Sequence, residues 1–458
     1  VNRPIGAATA RIGGSGDPTP VGVAVDDLMG ARFDVEVGPV AHGGHCVGRI
    51  PDGRVVFVRH TLPGELVTVE ITEEHKGYLR ADAIEILRSS PDRVTPPCRY
   101  AGPDRCGGCD FQHVRPAAQR ALKTAVVREQ LIRIGRLSEA EVDALGITVE
   151  PLPGGRADDG LGWRTRLRYT IAADDLAGLL KHRSHEVVAV DTCLIATPAV
   201  RAAAVTGRRW PGTDAIEVVA SSAGDVSVTA LDVDGAVRAV SGPAEVTEVA
   251  AGHRFRLDPA AFWQVHPAAP DTFVATVLAM LAPRPGERAW DLYGGAGLFA
   301  AALADAVGPR GSVTLVESDD RSVLAASSSL AGLPQVTVVS STVERMRLRG
   351  RPDIVVLDPP RTGAGRRVVR SLVDAAPRAI AYVACDPAAF ARDVATFRAA
   401  GWRLTRLAAY DAFPMTHHVE CIGRLEPPDG ARPDQAGPPG DQAGPPGDQA
   451  GPPRDRDV

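Results

Sequence analysis

The 458-residue sequence is poor in lysine and aromatics, and it has no long apolar run. Lys76, Lys123 and Lys181 are the only lysines among 51 basic residues, so positive charge is carried almost wholly by arginine. A GC-rich coding bias accounts for that more simply than selection for guanidinium chemistry. Aromatics make up 5%. No stretch approaches the ~18–20 apolar residues that cross a bilayer, and the first residues lack the apolar centre of a secretory signal, so a cytoplasmic protein without membrane contact is expected. Seven cysteines are few for this length. In a reducing compartment their spacing reads as metal binding or catalysis rather than as disulfides.

What is present is ordinary globular material, 44% hydrophobic and 23% charged, with room for several domains at roughly 100–200 residues each. The net charge of -5 is unevenly spread. Residues 426–458 hold seven acids against three arginines, whereas residues 93–136 hold nine basic residues against three acids. The basic stretch suits either a solvated face or a stripe that attracts phosphate.

Five segments follow from the pattern. Residues 1–29, rich in small residues, read as a flexible leader. Residues 30–89 alternate apolar and polar in short runs broken at Asp52-Gly53 and Pro63-Gly64, which predicts five strands in a small OB-like barrel, a fold that often holds nucleic acid. Residues 90–265 read as a central α/β region with a cysteine cluster and one amphipathic helix, 116–135. Residues 266–425 alternate strands (RAWDLY, SVTLVE, VTVVS, DIVVLD, AIAYVAC, RLTRLAAY, VECIGRL) with helices (LFAAALADAV, RSVLAASSSLAGL, RRVVRSLVDAA, AAFARDVATFRAAG), which predicts a Rossmann-like parallel sheet covered on both faces. Residues 426–458 repeat QAGPPGD with period seven and read as a disordered, dispensable tail.

The run DLYGGAGLF (291–299) leaves a strand and opens a helix, with Gly295 and Gly297 permitting a tight turn against a ligand. Glu317 ends the next strand, where an acid can bond a ribose diol. The spacing Asp-x3-Gly-x-Gly differs from the dinucleotide fingerprint and favours S-adenosylmethionine. In IVVLDPPRTG the two prolines stiffen the strand exit and fix Asp358 at the sheet edge; a merely rigid turn is the plainer reading. Cys385 in YVACDPAAF stands between a strand and a helix start, where the macrodipole favours thiolate; a small core residue is the alternative. Glu420 enters the last strand behind His417 and His418, as a reactive acid or as half of an ion pair.

Six runs in order, FWQVHP, DLYGGAGLF, VE, LDPPRTG, YVACDPAAFARD and DAFPMTHHVE, make the last 200 or so residues resemble the S-adenosylmethionine-dependent RNA (uracil-C5) methyltransferases, which make 5-methyluridine in tRNA and 23S rRNA. The resemblance implies Gln264, Tyr293, Glu317 and Asp358 as cofactor contacts, Cys385 as nucleophile and Glu420 as the base that removes the C5 proton. Departures are Gly294 where many relatives have Cys, Asp386 and His266 where Asn is common, and Thr342 where an acid often approaches the adenine. Residues 31–88 resemble the TRAM module at the front of many RNA-modifying enzymes. RNA is the implied partner, with the target base flipped out of its stack; no obligate protein partner is inferred.

Cys98, Cys106 and Cys109 follow a Cys-x7-Cys-x2-Cys spacing, with Cys193 as a distant fourth. Spacing alone allows zinc or a [4Fe–4S] cluster; the resemblance implies the cluster, in a structural role. Cys46 and Cys421 read as packing residues. A second RNA grip is expected in GWRTRLRYTI (162–171), its arginines meeting phosphates and Trp163 and Tyr169 stacking bases, against an ordinary solvated strand face. Rival readings are an amino-group methyltransferase using Asp-Pro-Pro, although Arg361 stands where such enzymes place an aromatic; a radical methylthio-transferring enzyme, whose Cys-x3-Cys-x2-Cys loop is missing; and an iron–sulfur RNA-binding protein without activity.

Overall fold

The computed structural model describes residues 28–153, 159–346 and 350–428. Nearly all of the expected leader and repeat tail lie outside them.

The N-terminal strands Arg32–Glu36, Cys46–Arg49, Val55–Arg59, Leu66–His75 and Tyr78–Arg88 form one sheet in the order first, fourth, fifth, third, second. Alternation decides which side is covered: Val67, Val69, Ile71, Leu79, Ala81 and Ala83 all point to one buried core, as a period of two requires. The sheet curls until its edges meet. Gly38 N–H donates to the Val47 carbonyl at 2.7 Å and Val47 N–H to that of Pro39 at 3.0 Å. Gly48 permits this closeness, since a Cβ there would lie 2.5 Å from Val35 Cγ1.

The C-terminal half is an eight-stranded sheet ordered Val336–Ser340, Ser312–Glu317, Arg288–Leu292, Ile354–Leu357, Ala379–Ala384, Glu420–Glu426, Arg403–Asp411, Val149–Pro151. The first five are mutually parallel, and the helices Leu298–Val307, Asp320–Ser329, Gly365–Ala375 and Pro387–Ala399 follow four of them. The expectation of an all-parallel sheet is corrected at its end. Arg403–Asp411 and Glu420–Glu426 make an antiparallel hairpin, because the link 412–419 is shorter than the roughly dozen residues a parallel crossover needs. Glu420–Glu426 therefore runs antiparallel to Ala379–Ala384, with Ala384 opposite Cys421. That register sets the start of one strand beside the end of the other.

The central region is more β than expected. Six of its strands, ordered Val237–Ser241, Val226–Asp232, Thr213–Ala220, Arg166–Ile171, Ala177–Leu180, Val187–Ala189, form an antiparallel sheet, and Val246–Ala250 and His253–Leu257 form a separate hairpin. The helices Pro116–Arg133 and Glu139–Ala144 lie earlier in the chain, yet Val127, Leu131 and Val142 share a core with Tyr382, Phe390 and Leu404 of the C-terminal half. No helix among the described residues is long and apolar enough to cross a membrane.

Candidate active site

A cavity of about 1030 Å³ opens at the carboxyl ends of the parallel strands, where open α/β sheets bind ligands. Gln264, Tyr293, Glu317, Asp358, Cys385 and Glu420 all line it, although they are spread over more than 150 positions of the sequence.

One side of the cavity is built from the first two parallel strands. Glu317 is held as a fixed acceptor: its Oε2 accepts from Gly295 N–H at 3.0 Å and its Oε1 from the N–H groups of Ser318 and Asp319 at 2.6 and 2.8 Å. Tyr293 leaves its strand with φ +61°, a left-handed conformation that non-glycine residues adopt rarely and mostly where a site requires it. Its hydroxyl donates to Glu344 Oε1 at 2.9 Å. Gly294 has no room for the cysteine common in relatives, because a Cβ would fall 2.6 Å from Leu315 Cγ. Burial pushes the Asp358 carboxyl up to about 8, helped by the neighbouring charges of Asp291 and Glu317. Asp291, beneath the glycine loop, is pushed up to about 7 by burial and by Glu317, against the Ala300 N–H. Acids so short of positive charge, next to an oriented carboxylate and a glycine turn, fit a cationic sulfonium that carries a ribose diol.

The opposite side carries the reactive groups. Cys385 follows the strand Ala379–Ala384, and Asp386 caps the helix Pro387–Ala399 by accepting from Ala389 N–H at 2.8 Å. The capped helix does not lower the thiol, as the sequence led us to expect. Burial pushes Cys385 up to about 12, with Glu420 adding to it, Arg361 opposing, and Asp358 and Asp386 adding further. Fixed dipoles at a helix end are weaker than desolvation beside full negative charges. Glu420 is buried and held well above the usual carboxylate range, first by burial and then by Asp358, against Arg361.

Three supports escaped the sequence reading. Glu344 takes the acid position near Tyr293 that Thr342 leaves open. Buried Asp393 accepts from Tyr382 Oη at 2.7 Å and from the N–H groups of Ala364 and Gly365 at 2.7 and 3.2 Å, which anchors the loop after Asp-Pro-Pro. Asp110 Oδ2 bonds His417 Nδ1 at 2.6 Å and accepts from its backbone N–H at 3.1 Å. An acid in a buried helix stripe was the available signal for Asp393; Asp110 and Glu344 gave none.

Cys98, Cys106, Cys109 and Cys193 line a second cavity of about 370 Å³. All are free thiols, and burial raises Cys106, Cys109 and Cys193. Among the described residues no group of three or more His, Cys, Asp or Glu side chains is placed to hold a metal ion. The expected grip at 162–171 holds only in part: Tyr169 is a buried core residue, whereas Trp163, also buried, lines the first cavity together with Arg164. Arg166 is buried as well, bonding Glu248 Oε1 at 3.2 Å and the carbonyls of Pro259 and Ala261 at 3.1 and 2.8 Å. Arg168 faces out and pairs with Glu217 at 2.9 Å.

A doubly wound sheet with this cavity at its carboxyl edge defines the class of cofactor-binding α/β transferases. Known proteins narrow it. Residues 28–84 match the TRAM domain, and residues 349–426 match tRNA (Uracil-5-)-methyltransferase. An uncharacterized RNA methyltransferase of Streptomyces avermitilis is 46% identical over 87% of this chain and 99% of its own. A 23S rRNA (uracil(1939)-C(5))-methyltransferase of Chromohalobacter salexigens is 32% identical over 92% of each chain. The crystal structure of the Pyrococcus abyssi tRNA (uracil-54, C5)-methyltransferase with S-adenosyl-L-homocysteine, 22% identical, shares the fold with a TM-score of 0.64 over 86% of this chain and 99% of that one. The chain belongs to the RNA (uracil-C5) methyltransferase family, S-adenosylmethionine-dependent enzymes that act on RNA.

Proposed function

We propose that this enzyme methylates C5 of one uridine in 23S rRNA or tRNA through a covalent Cys385 adduct, with Glu420 as the base. The observation that carries the reading is the antiparallel register that sets the Glu420 strand start beside Cys385, both facing one cavity. Uracil C5 is a poor nucleophile. The Cys385 thiol gives up its proton to solvent, the thiolate sulfur adds to C6, the C5=C6 π pair moves towards C5 and O4, and C5 becomes able to take an alkyl group. S-adenosylmethionine, when bound, supplies a methyl on a positively charged sulfur. Gln264, Tyr293, Glu317 and Asp358 would hold it, Glu317 at the ribose. Once the methyl is bonded to C5, Glu420 in its ionised form takes the C5 proton, the electron pair restores C5=C6, and the bond to Cys385 sulfur breaks. Glu420 is buried and Cys385 half-buried, which limits the water that reaches the adduct.

The same reading assigns the four clustered cysteines to an iron–sulfur cluster with a structural role. What supports this is the family resemblance and the four thiols lining one cavity; their spacing in the sequence suits zinc equally. Iron and sulfide at about four each per anaerobically purified chain is the expected result; stoichiometric zinc overturns it. The domain limits of the reading, 30–89, 90–265 and 266–425, remain part of the proposal.

Two measurements test the chemistry. Mapping 5-methyluridine in 23S rRNA and tRNA from cells with and without the gene identifies the target, and an unchanged map overturns the activity. Cys385→Ala should lose methyl transfer by at least about 10³-fold while still binding RNA. Glu420→Gln should accumulate protein bound covalently to methylated RNA. Methylation by Cys385→Ala at the wild-type rate would sink the nucleophile assignment.

A further inference from the structure

The strand that begins with Glu420 is reached through the loop 412–419, whose residues Phe413, Thr416, His417 and His418 line the same cavity. That loop has an energetic problem at Met415, which is buried and adopts φ +67°. An unbranched non-glycine residue in the left-handed region persists only where its surroundings over-determine it.

The surroundings come mainly from one face of the helix Pro116–Arg133. Gln119 and Lys123, one turn apart and therefore stacked on the same side, are both buried. Gln119 Oε1 accepts from Met415 N–H at 2.9 Å, while its Nε2 donates to the carbonyls of Val114 and Phe111 at 2.8 and 3.1 Å. The whole carboxamide is thus used, and its orientation is fixed by the N–H it must accept. Lys123 Nζ pairs with Asp411 Oδ1 at 2.5 Å and donates to the Phe413 carbonyl at 3.1 Å. Lys123 and Asp411 side chains are 1% and 4% exposed. On the other side of the loop, the N–H groups of Asp110 and Phe111 both donate to the Met415 carbonyl at 2.9 Å.

Lys123 is also one of three lysines in a chain whose other basic residues are all arginine. A dry pocket that takes one ammonium between a carboxylate and a carbonyl has no place for a planar guanidinium fork. That is a steric reason for this lysine to escape the drift towards arginine.

We propose that Gln119 and Lys123 are positioning residues for Glu420: they hold the turn at Phe413 and at Met415 and so set where the base stands when the C5 proton is removed. The inference deepens the reading of Glu420 as base and rests on it. Neither side chain is among the residues that line the cavity, so they act through the loop rather than on the substrate.

The test separates the two halves of the reaction. An oligonucleotide of the methylated sequence carrying 5-fluorouridine stops at the adduct and reports the Cys385 half, because fluorine cannot leave as a proton does. The natural RNA under single turnover, with radiolabelled methyl donor and denaturing gels, reports how long methylated RNA stays bound to protein. Gln119→Leu and Lys123→Met should form the fluorouridine adduct within about threefold of the wild-type rate, yet release methylated RNA ten- to a hundredfold more slowly. Gln119→Glu keeps the acceptor for Met415 N–H but loses the donors to the Val114 and Phe111 carbonyls, so it should recover only part of the release rate. Equal losses in both halves, or no loss in either, overturns the proposal. If Lys123→Met leaves Asp411 so poorly paired that it does not fold, Gln119→Leu decides alone. Glu420→Gln is the internal standard: if it fails to accumulate bound methylated RNA, the assignment of the base fails rather than the positioning role.

Discussion

Cys385 must give up a proton before it can attack, and the resting protein makes that difficult. Burial and the facing Glu420 outweigh Arg361 and hold the thiol up near 12. A group whose pKa lies above the working pH is protonated there, and its thiolate fraction grows about tenfold per pH unit until the pKa is reached. Alkylation of Cys385 by iodoacetamide in the protein without substrates, followed by mass spectrometry of its peptide, should therefore rise about tenfold per unit from pH 7 to pH 9. A thiol lowered by the helix macrodipole would instead give a plateau in that range. Arg361 is the group that works against the buried acids for both Cys385 and Glu420. Its removal should make alkylation slower at every pH, with the same slope. A plateau in the wild type would mean that desolvation does not govern this thiol, and an unchanged rate in Arg361→Ala that its charge does not reach the sulfur.

At the scale of elements, alternation along a strand reveals two faces but not which of them becomes covered. The segment 162–171 shows the consequence. The expectation that its arginines and aromatics share one RNA face is met only in part: Tyr169 turns into the central core and Arg166 into a buried ion pair, while Trp163 and Arg164 line the catalytic cavity. The parallel strands were legible because each is a short apolar run followed by a helical period. The short helix Glu139–Ala144 could also have been read, since Ser138 and Glu141 form a complete capping box. Contacts such as Lys123 with Asp411 were not legible, because they join positions 288 residues apart and leave no local period. Arg166 provides the test at this scale. It is 11% exposed, opposite Glu248 at 4%, and it also ties the carbonyls that precede Gln264. Arg166→Met strands a buried carboxylate, which should cost about 3–5 kcal/mol of stability. Urea unfolding should show that loss, while the salt dependence of RNA binding by the folded variant stays as in the wild type. A stable variant whose salt slope drops by about one would restore the phosphate-binding reading.

Across the whole molecule, the N-terminal sheet is attached at the rim of the catalytic cavity. His42 Nε2 reaches Asp386 Oδ2 at 3.1 Å, one residue beyond Cys385. The loop 41–45 also lies against the loop before Glu420: a Cβ on Gly44 would stand 2.9 Å from His417 Cβ and 3.2 Å from Phe111 Cε1. If the N-terminal sheet holds RNA, this contact, too close for any side chain, sets that RNA beside Cys385. The ion pair is partly exposed and is worth little by itself, at most about 1 kcal/mol, so the fit at Gly44 carries the attachment. Gly44→Ala adds both a left-handed alanine and an overlap, and a second variant removes the ambiguity. Gly53 has φ +90° with nothing within 4 Å of its Cβ position, compared with φ +78° at Gly44. Gly53→Ala therefore carries the backbone strain alone, about 1 kcal/mol. Gly44→Ala should raise the KM for RNA several-fold beyond Gly53→Ala and expose residues 89–97 to limited proteolysis, whereas Gly53→Ala should do neither. If the two variants behave alike, the sheet and the catalytic body act as separate modules, and the closeness of this loop to His417 has no part in presenting the substrate.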